Sequence, residues 1–274
     1  MKHVLFISLL LILGFSCTDA DESDPKFVIE GFIFAGEPVE SIKVKEQIGI
    51  NEPDSIDRLI TNAEVILVKE GQEYLLQYNE ETYKYFGSDL SVESGDVFKL
   101  EVTVGDRSAY AETIVPEPTQ GLSISDTQLV IPEIVLSFNL VNELTALFFT
   151  ERLTARWDNP NEALHFIVVE PVVNEFDSIF PPGFPQEGTD FLSQFKFAPQ
   201  ALEVDTFSII GIAFETYGRH RAKVYRVNHE YANLFNNPEQ DSRDLTAPPS
   251  NVVNGFGIFS AFAADSVFFD IVRE

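Results

Sequence analysis

Val97-Phe98-Lys99-Leu100-Glu101-Val102-Thr103-Val104, then Gly105-Asp106, then Arg107-Ser108-Ala109-Tyr110-Ala111-Glu112-Thr113-Ile114, is the stretch whose reading decides the fold. In an extended chain Phe98, Leu100 and Val102 fall on one side, and Lys99, Glu101 and Thr103 on the other. Successive side chains of a strand point to opposite faces, so this period of two predicts one buried and one wet face. Gly105-Asp106 supplies a tight turn, and the two runs together read as an antiparallel hairpin.

The same pattern extends upstream. Phe27 to Phe34 reads as a strand ended by Ala35-Gly36-Glu37-Pro38, and Ser41 to Lys45 alternates again. Asn51 to Asp57 is a polar loop. Ala63 to Lys69, Tyr74 to Tyr78 and Tyr83 to Phe86 complete the set. Many short strands at this spacing predict an antiparallel β-sandwich of immunoglobulin- or transthyretin-like kind over residues 26–116. Pro116-Glu117-Pro118-Thr119 follows. Two prolines in three residues stiffen a connector and cannot donate to a ladder, which places a domain boundary there.

Residues 120–274 predict a second sandwich. Leu122 to Asn139 is strand-like, and Leu153 to Pro160 carries the single tryptophan, Trp157. The apolar strand His165 to Pro171 follows. A tryptophan closing a strand before a polar-proline turn is the arrangement of a fibronectin-III-like domain, so Trp157 is expected in the core. Asp205 to Phe214 and Arg221 to Val227 are further strands. Asn228 can cap one short helix over residues 229–235. Gly255 to Phe262 and Ser266 to Val272 are expected as paired strands closing the chain. The fold class expected is therefore all-β: two antiparallel sandwiches with one short helix.

The first residues carry an address. Val4 to Phe15 is apolar except for Ser8, too short to span a bilayer of roughly 30 Å. Directly after it comes Cys17, the only cysteine. A secreted chain with one thiol cannot staple itself, and acylation gives that thiol a purpose. Residues 1–16 therefore read as a lipoprotein signal peptide, with Cys17 lipidated. Residues 17–25, rich in Asp and Glu, read as an acidic tether. That tether is open to two readings, a solvated spacer or a tag for export to the cell surface.

Net charge is −26, which argues against nucleic acid and anionic lipid as direct partners. With 45% hydrophobic residues and 25 phenylalanines the chain has ample material for cores. No catalytic residues stand out. His229-Glu230 lacks the second histidine of a zincin helix, and no Gly-x-Ser-x-Gly elbow occurs. The sequence supports no metal and no cofactor, and the chain is read as a non-enzyme.

Two surface features are candidates for contact. Residues 174–200 form a proline-, glycine- and phenylalanine-rich insertion in which Phe180 and Phe184 flank Pro181-Pro182-Gly183. This loop is either a contact surface or a flap folded onto its own sandwich. Arg219-His220-Arg221-Ala222-Lys223 is the densest basic run. Arg219 and Arg221 either pair with neighbouring carboxylates or meet an acidic partner.

The lipoprotein start, Phe27-Val28-Ile29-Glu30-Gly31, Ala63-Glu64-Val65, Lys99 to Val104, Ile114-Val115-Pro116 and the segment Asn251 to Phe259 together resemble domain-of-unknown-function family 4249. The resemblance covers nearly the whole mature chain. It implies a Bacteroidetes lipoprotein anchored in the outer membrane, and an accessory role beside a TonB-dependent receptor in nutrient capture or uptake. It supplies no catalytic residues. The alternative expectation is a carbohydrate- or protein-binding adhesin using the aromatic loop at 176–197. Gly255 and Gly257 suit a bend feeding the last strand, or a ligand loop.

Overall fold

The computed structural model describes residues 26–48, 57–134, 140–149, 152–172, 177–181, 201–234 and 249–274. Its centre is the predicted hairpin. Strands β6 (Val97–Val104) and β7 (Arg107–Ile114) pair antiparallel from Val97↔Ile114 to Val104↔Arg107. Phe98, Leu100 and Val102 are buried with Ala109 and Ala111, as the alternation requires.

Around this hairpin lie β1 (Phe27–Phe34), β2 (Ser41–Glu46), β3 (Glu64–Lys69), β4 (Gln72–Asn79) and β5 (Thr82–Lys84). The order is β1-β2-β5-β4-β3-β6-β7. This sheet rolls over a core to which Ile29, Ile33, Ile42, Val65, Leu67, Leu76 and Tyr83 contribute. The Tyr83 hydroxyl donates to the Ile60 carbonyl at 2.9 Å and accepts from the Ala63 amide at 2.9 Å, so this buried phenol leaves no unpaired polar atom.

The second core lies between two sheets. One is β8 (Gln120–Ile124), β10 (Arg152–Asp158) and β12 (Thr206–Ile210), in the order β12-β10-β8. The other is formed by β11 (His165–Pro171), β13 (Gly218–Val227), the last strand β14 (Phe256–Arg273) and β9 (Gln128–Ile131). Trp157, Ile167, Ile209, Val224, Phe269 and Ile271 meet between them. The expectation that Trp157 packs in the core holds: it is 5% exposed.

The elements themselves differ from the expectations at three places, and the pairing of the last strand, parallel to β1 and β9 where antiparallel sandwiches were expected, is a further difference. A second helix, α1 (Leu140–Phe149), follows the strand-like stretch. Leu140, Leu144 and Leu147 recur at helical spacing and pack onto the second core. The expected helix after Asn228 is present as α2 (His229–Ala232), while residues 235–248 lie outside the described set. The strand at 205–214 ends early, in a 3-10 turn at Gly211–Ala213. Finally, the two closing strands are one strand of 18 residues. Ala263-Ala264-Asp265 holds no glycine, proline or asparagine to turn the chain, so it runs straight on.

That long strand serves both cores. Its first part pairs parallel with β1, Val28↔Phe256 to Phe34↔Phe262. Further on it pairs antiparallel with β13 and parallel with β9. Phe259 and Ala261 enter the first core, and Phe269 and Ile271 the second. These are all odd-numbered, so both cores lie on the same side of the strand.

The segment before β14 seals the first sandwich. Val253 exchanges both backbone hydrogen bonds with Tyr110 of β7, at 3.2 and 2.8 Å. The Asn251 side chain accepts from the Phe259 amide at 3.0 Å and donates to the Phe259 carbonyl at 2.7 Å. Thr113 Oγ1 takes a bond from the Ala261 amide at 3.1 Å. Replacing Asn251 by Ala leaves a buried amide and carbonyl of Phe259 without partners. We expect a loss of about 1–3 kcal/mol in denaturant unfolding, with Asn251→Asp recovering only the amide bond.

Candidate functional site

The predicted contact residues fall in different places. Cys17 and Phe184 lie outside the described residues. Phe180 is half-buried and packs against the second core. Truncating it should therefore cost stability: Phe180→Ser is expected to lower thermal stability by about 1–2 kcal/mol. An unchanged melting temperature would return Phe180 to the contact-surface reading.

The basic run is divided by the pleat of β13. His220 and Ala222 point into the second core, while Arg219, Arg221 and Lys223 point outward. Arg219 lies over the Phe268 ring at 4.8 Å. Arg221 donates from Nε to Glu170 Oε1 at 2.8 Å, and its terminal nitrogen reaches the same oxygen. Lys223 reaches Glu37 at 3.2 Å and Glu170 at 3.7 Å. Burial opposes the Lys223 charge, yet its bond to Glu37 and its contact with Tyr225 hold its pKa above the ordinary lysine value.

On the outer face of the shared sheet an aromatic cluster spans four strands. Phe34 stacks on Phe262 at 5.1 Å and Phe166 on Tyr225 at 4.8 Å. Tyr231 from α2 meets Phe262 edge-on at 5.0 Å. These contacts are the preferred offset and edge geometries, and they join β1 to β11 across the seam.

Sequence reasoning missed a cleft in the second sandwich, beside the connector that leads into it. It has a volume of about 320 Å³ and is lined by Pro118, Gln120, Asp158, Asn159, His165 and Arg226, among others. Three stretches of chain converge here: the connector after β7, the turn between β10 and β11, and the end of β13. No sequence spacing links them, so none could have revealed the site. Asn159 shapes the turn. Its Oδ1 accepts from the Ala163 amide at 2.8 Å, and its Nδ2 donates to the Ala163 carbonyl at 2.9 Å. Gly121 has φ +66, and a side chain there would collide with the Asp158 carboxylate. His165 and Arg226 face each other across the β11–β13 ladder. His165 is 3% exposed, with Nδ1 2.9 Å from the Ala163 carbonyl. Its ring lies 5.6 Å from that of Trp157.

Burial pushes the pKa of both His165 and His220 below the ordinary histidine value near 6.5. Arg226 adds to the push on His165, while Asp270 opposes it on His220. The Ala163 and Gly218 carbonyls also oppose it. Below about pH 6.5 the unfolded chain binds protons that the folded chain refuses, so stability falls as pH drops through that value. Thermal melts from pH 7.5 to 5 should show a smaller stability loss in the His165→Gln, His220→Gln double variant than in the parent.

Among the described residues no three His, Cys, Asp or Glu side chains gather as a metal site. No described helix is long and apolar enough to cross a membrane. No curated protein matches the sequence. Among solved structures, a two-domain fibronectin type-III segment from chicken tenascin aligns over 90% of this chain and 98% of that chain. Its identity is 10% and its TM-score 0.26, too low to bear on the placement of any element. A family model described as a domain of unknown function, DUF4249, matches residues 17–267, the span running from the single cysteine into the last strand, and the chain belongs to that family.

Proposed function

We propose that this protein is a lipid-anchored outer-membrane lipoprotein without catalytic activity, working as an accessory of a TonB-dependent receptor in nutrient capture or uptake. One observation carries the reading: the family match begins at Cys17, the residue at which a lipoprotein signal would be cut and acylated. The apolar run before it and the acidic tether after it fit the same processing. Several acyl chains on that thiol would hold the protein firmly, at about 0.8 kcal/mol per buried methylene. The acidic tether is consistent with presentation at the cell surface. The two sandwiches are consistent with a binding module.

Two measurements test this. Cells grown with a clickable palmitate analogue should label the protein, and Cys17→Ala should lose the label and leave the membrane fraction. Affinity purification from detergent-solubilised outer membranes should recover a TonB-dependent receptor. A labelled protein that never recovers a receptor, and whose deletion leaves uptake unchanged, would keep the anchor and sink the accessory role.

A further inference from the structure

We propose that the cleft of the second sandwich, beside the connector that leads into it, is a binding site for a small carboxylate that also carries hydroxyl or ammonium donors. The claim concerns the purified fold and stands apart from any receptor.

Arg226 is the reason. It lies on the inward face of β13, at positions alternating with Ala222 and Val224 of the second core. It is half-buried, and no hydrogen bond or ion pair joins it to another described residue. That is unusual in a chain with 44 acidic residues against 18 basic ones. The neighbouring cations of the same strand are partnered: Arg221 and Lys223 by carboxylates, Arg219 by Phe268. A half-buried guanidinium that lines a cleft, with no counter-ion among the described residues, is available to an anion that enters there. Its planar fork matches a carboxylate, which can take two parallel hydrogen bonds.

The cleft adds a second requirement. His165 faces Arg226, and with Nδ1–H donating to the Ala163 carbonyl its Nε2 is left as an acceptor. Asp158 is a further acceptor on the rim, with no hydrogen bond to another described residue. A bare anion would meet both of these as repulsion. A ligand with a carboxylate at one end and donor groups at the other would satisfy Arg226, His165 and Asp158 together. A volume near 320 Å³ is at the small end of ligand sites, suited to a sugar acid or a dipeptide.

Trp157, the single tryptophan, lies beside His165 and reports on the site. Glucuronate and glycylglycine should each be titrated against the intact mature protein, with glucose as the neutral match. At least one carboxylate should give a saturable change in Trp157 fluorescence, and glucose none. Arg226→Gln should weaken that binding at least tenfold, with Arg226→Lys recovering part of it. The melting temperature of Arg226→Gln should stay the same or rise, because no partner among the described residues is lost. The proposal is overturned by no saturable response to either carboxylate at concentrations on the order of 10 mM. It is equally overturned by undiminished binding in Arg226→Gln, or by a melting temperature that drops, which would make Arg226 a structural cation.

Discussion

Residues 26–118 produced without the rest of the chain should fail to reach a folded state. The fragment contains β1 to β7 and looks complete in sequence. It lacks the strand that closes it. β14 pairs with β1 from Val28↔Phe256 to Phe34↔Phe262, and its Phe259 and Ala261 are fully buried in the first core with Val252 beside them. Removing them uncovers Ile29 and Ile33 and frees the edge of β1. The lost burial is on the order of 5 kcal/mol, comparable to the whole stability of a small domain. The exposed edge would also invite association with other chains. Circular dichroism and amide dispersion of the fragment should show a disordered or aggregated chain. Appending residues 249–262 through a flexible linker should restore dispersion. A cooperative melt of the bare fragment would mean that β14 is dispensable to the first sandwich.

Gly257→Val should be the most damaging single substitution. Gly257 has φ +99, and a Cβ built there would land on the carbonyl of Ile29 in the neighbouring strand. Two penalties combine: a backbone region that side chains with Cβ rarely adopt, and a clash with rigid backbone rather than with a movable side chain. The total is on the order of 4 kcal/mol, most of a typical margin. Gly36 is the control. It has φ +74, but nothing lies within 4 Å of its added Cβ. Gly36→Ala should cost about 1 kcal/mol, because only the backbone preference is violated. If both variants melt alike, the close approach of Gly257 to β1 is not limiting.

The parts of this fold that are local were legible in the sequence. The alternation in β6 and β7 gave strand, face and turn together, because a hairpin needs only neighbouring residues. Trp157 was placed in a core on the same kind of information. The parallel pairing of β1 with β14 was not legible, since it joins residues more than two hundred positions apart with no turn between them. Leu140, Leu144 and Leu147 did carry a helical period, but the strand-like stretch before them masked it. The contact residues show the same division. Arg221 was read as either paired or free, and only the register of β11 against β13 brings Glu170 to it. Arg226 escaped notice because its meaning lies in the lack of a counter-ion among the described residues around it, which depends on packing rather than on spacing.

The shared strand has a mechanical consequence. A pull applied at the N-terminal end of β1 acts at Phe27, the first residue of that strand. β14 runs parallel to β1 and continues beyond it into the second sandwich. A load on the second sandwich therefore draws β14 one way while a pull at Phe27 draws β1 the other. The two strands are loaded in shear along their length, so the hydrogen bonds between them share the force at once instead of opening one by one like a zipper. A load on the second sandwich would meet its greatest resistance at the seam where the two halves of the chain are joined.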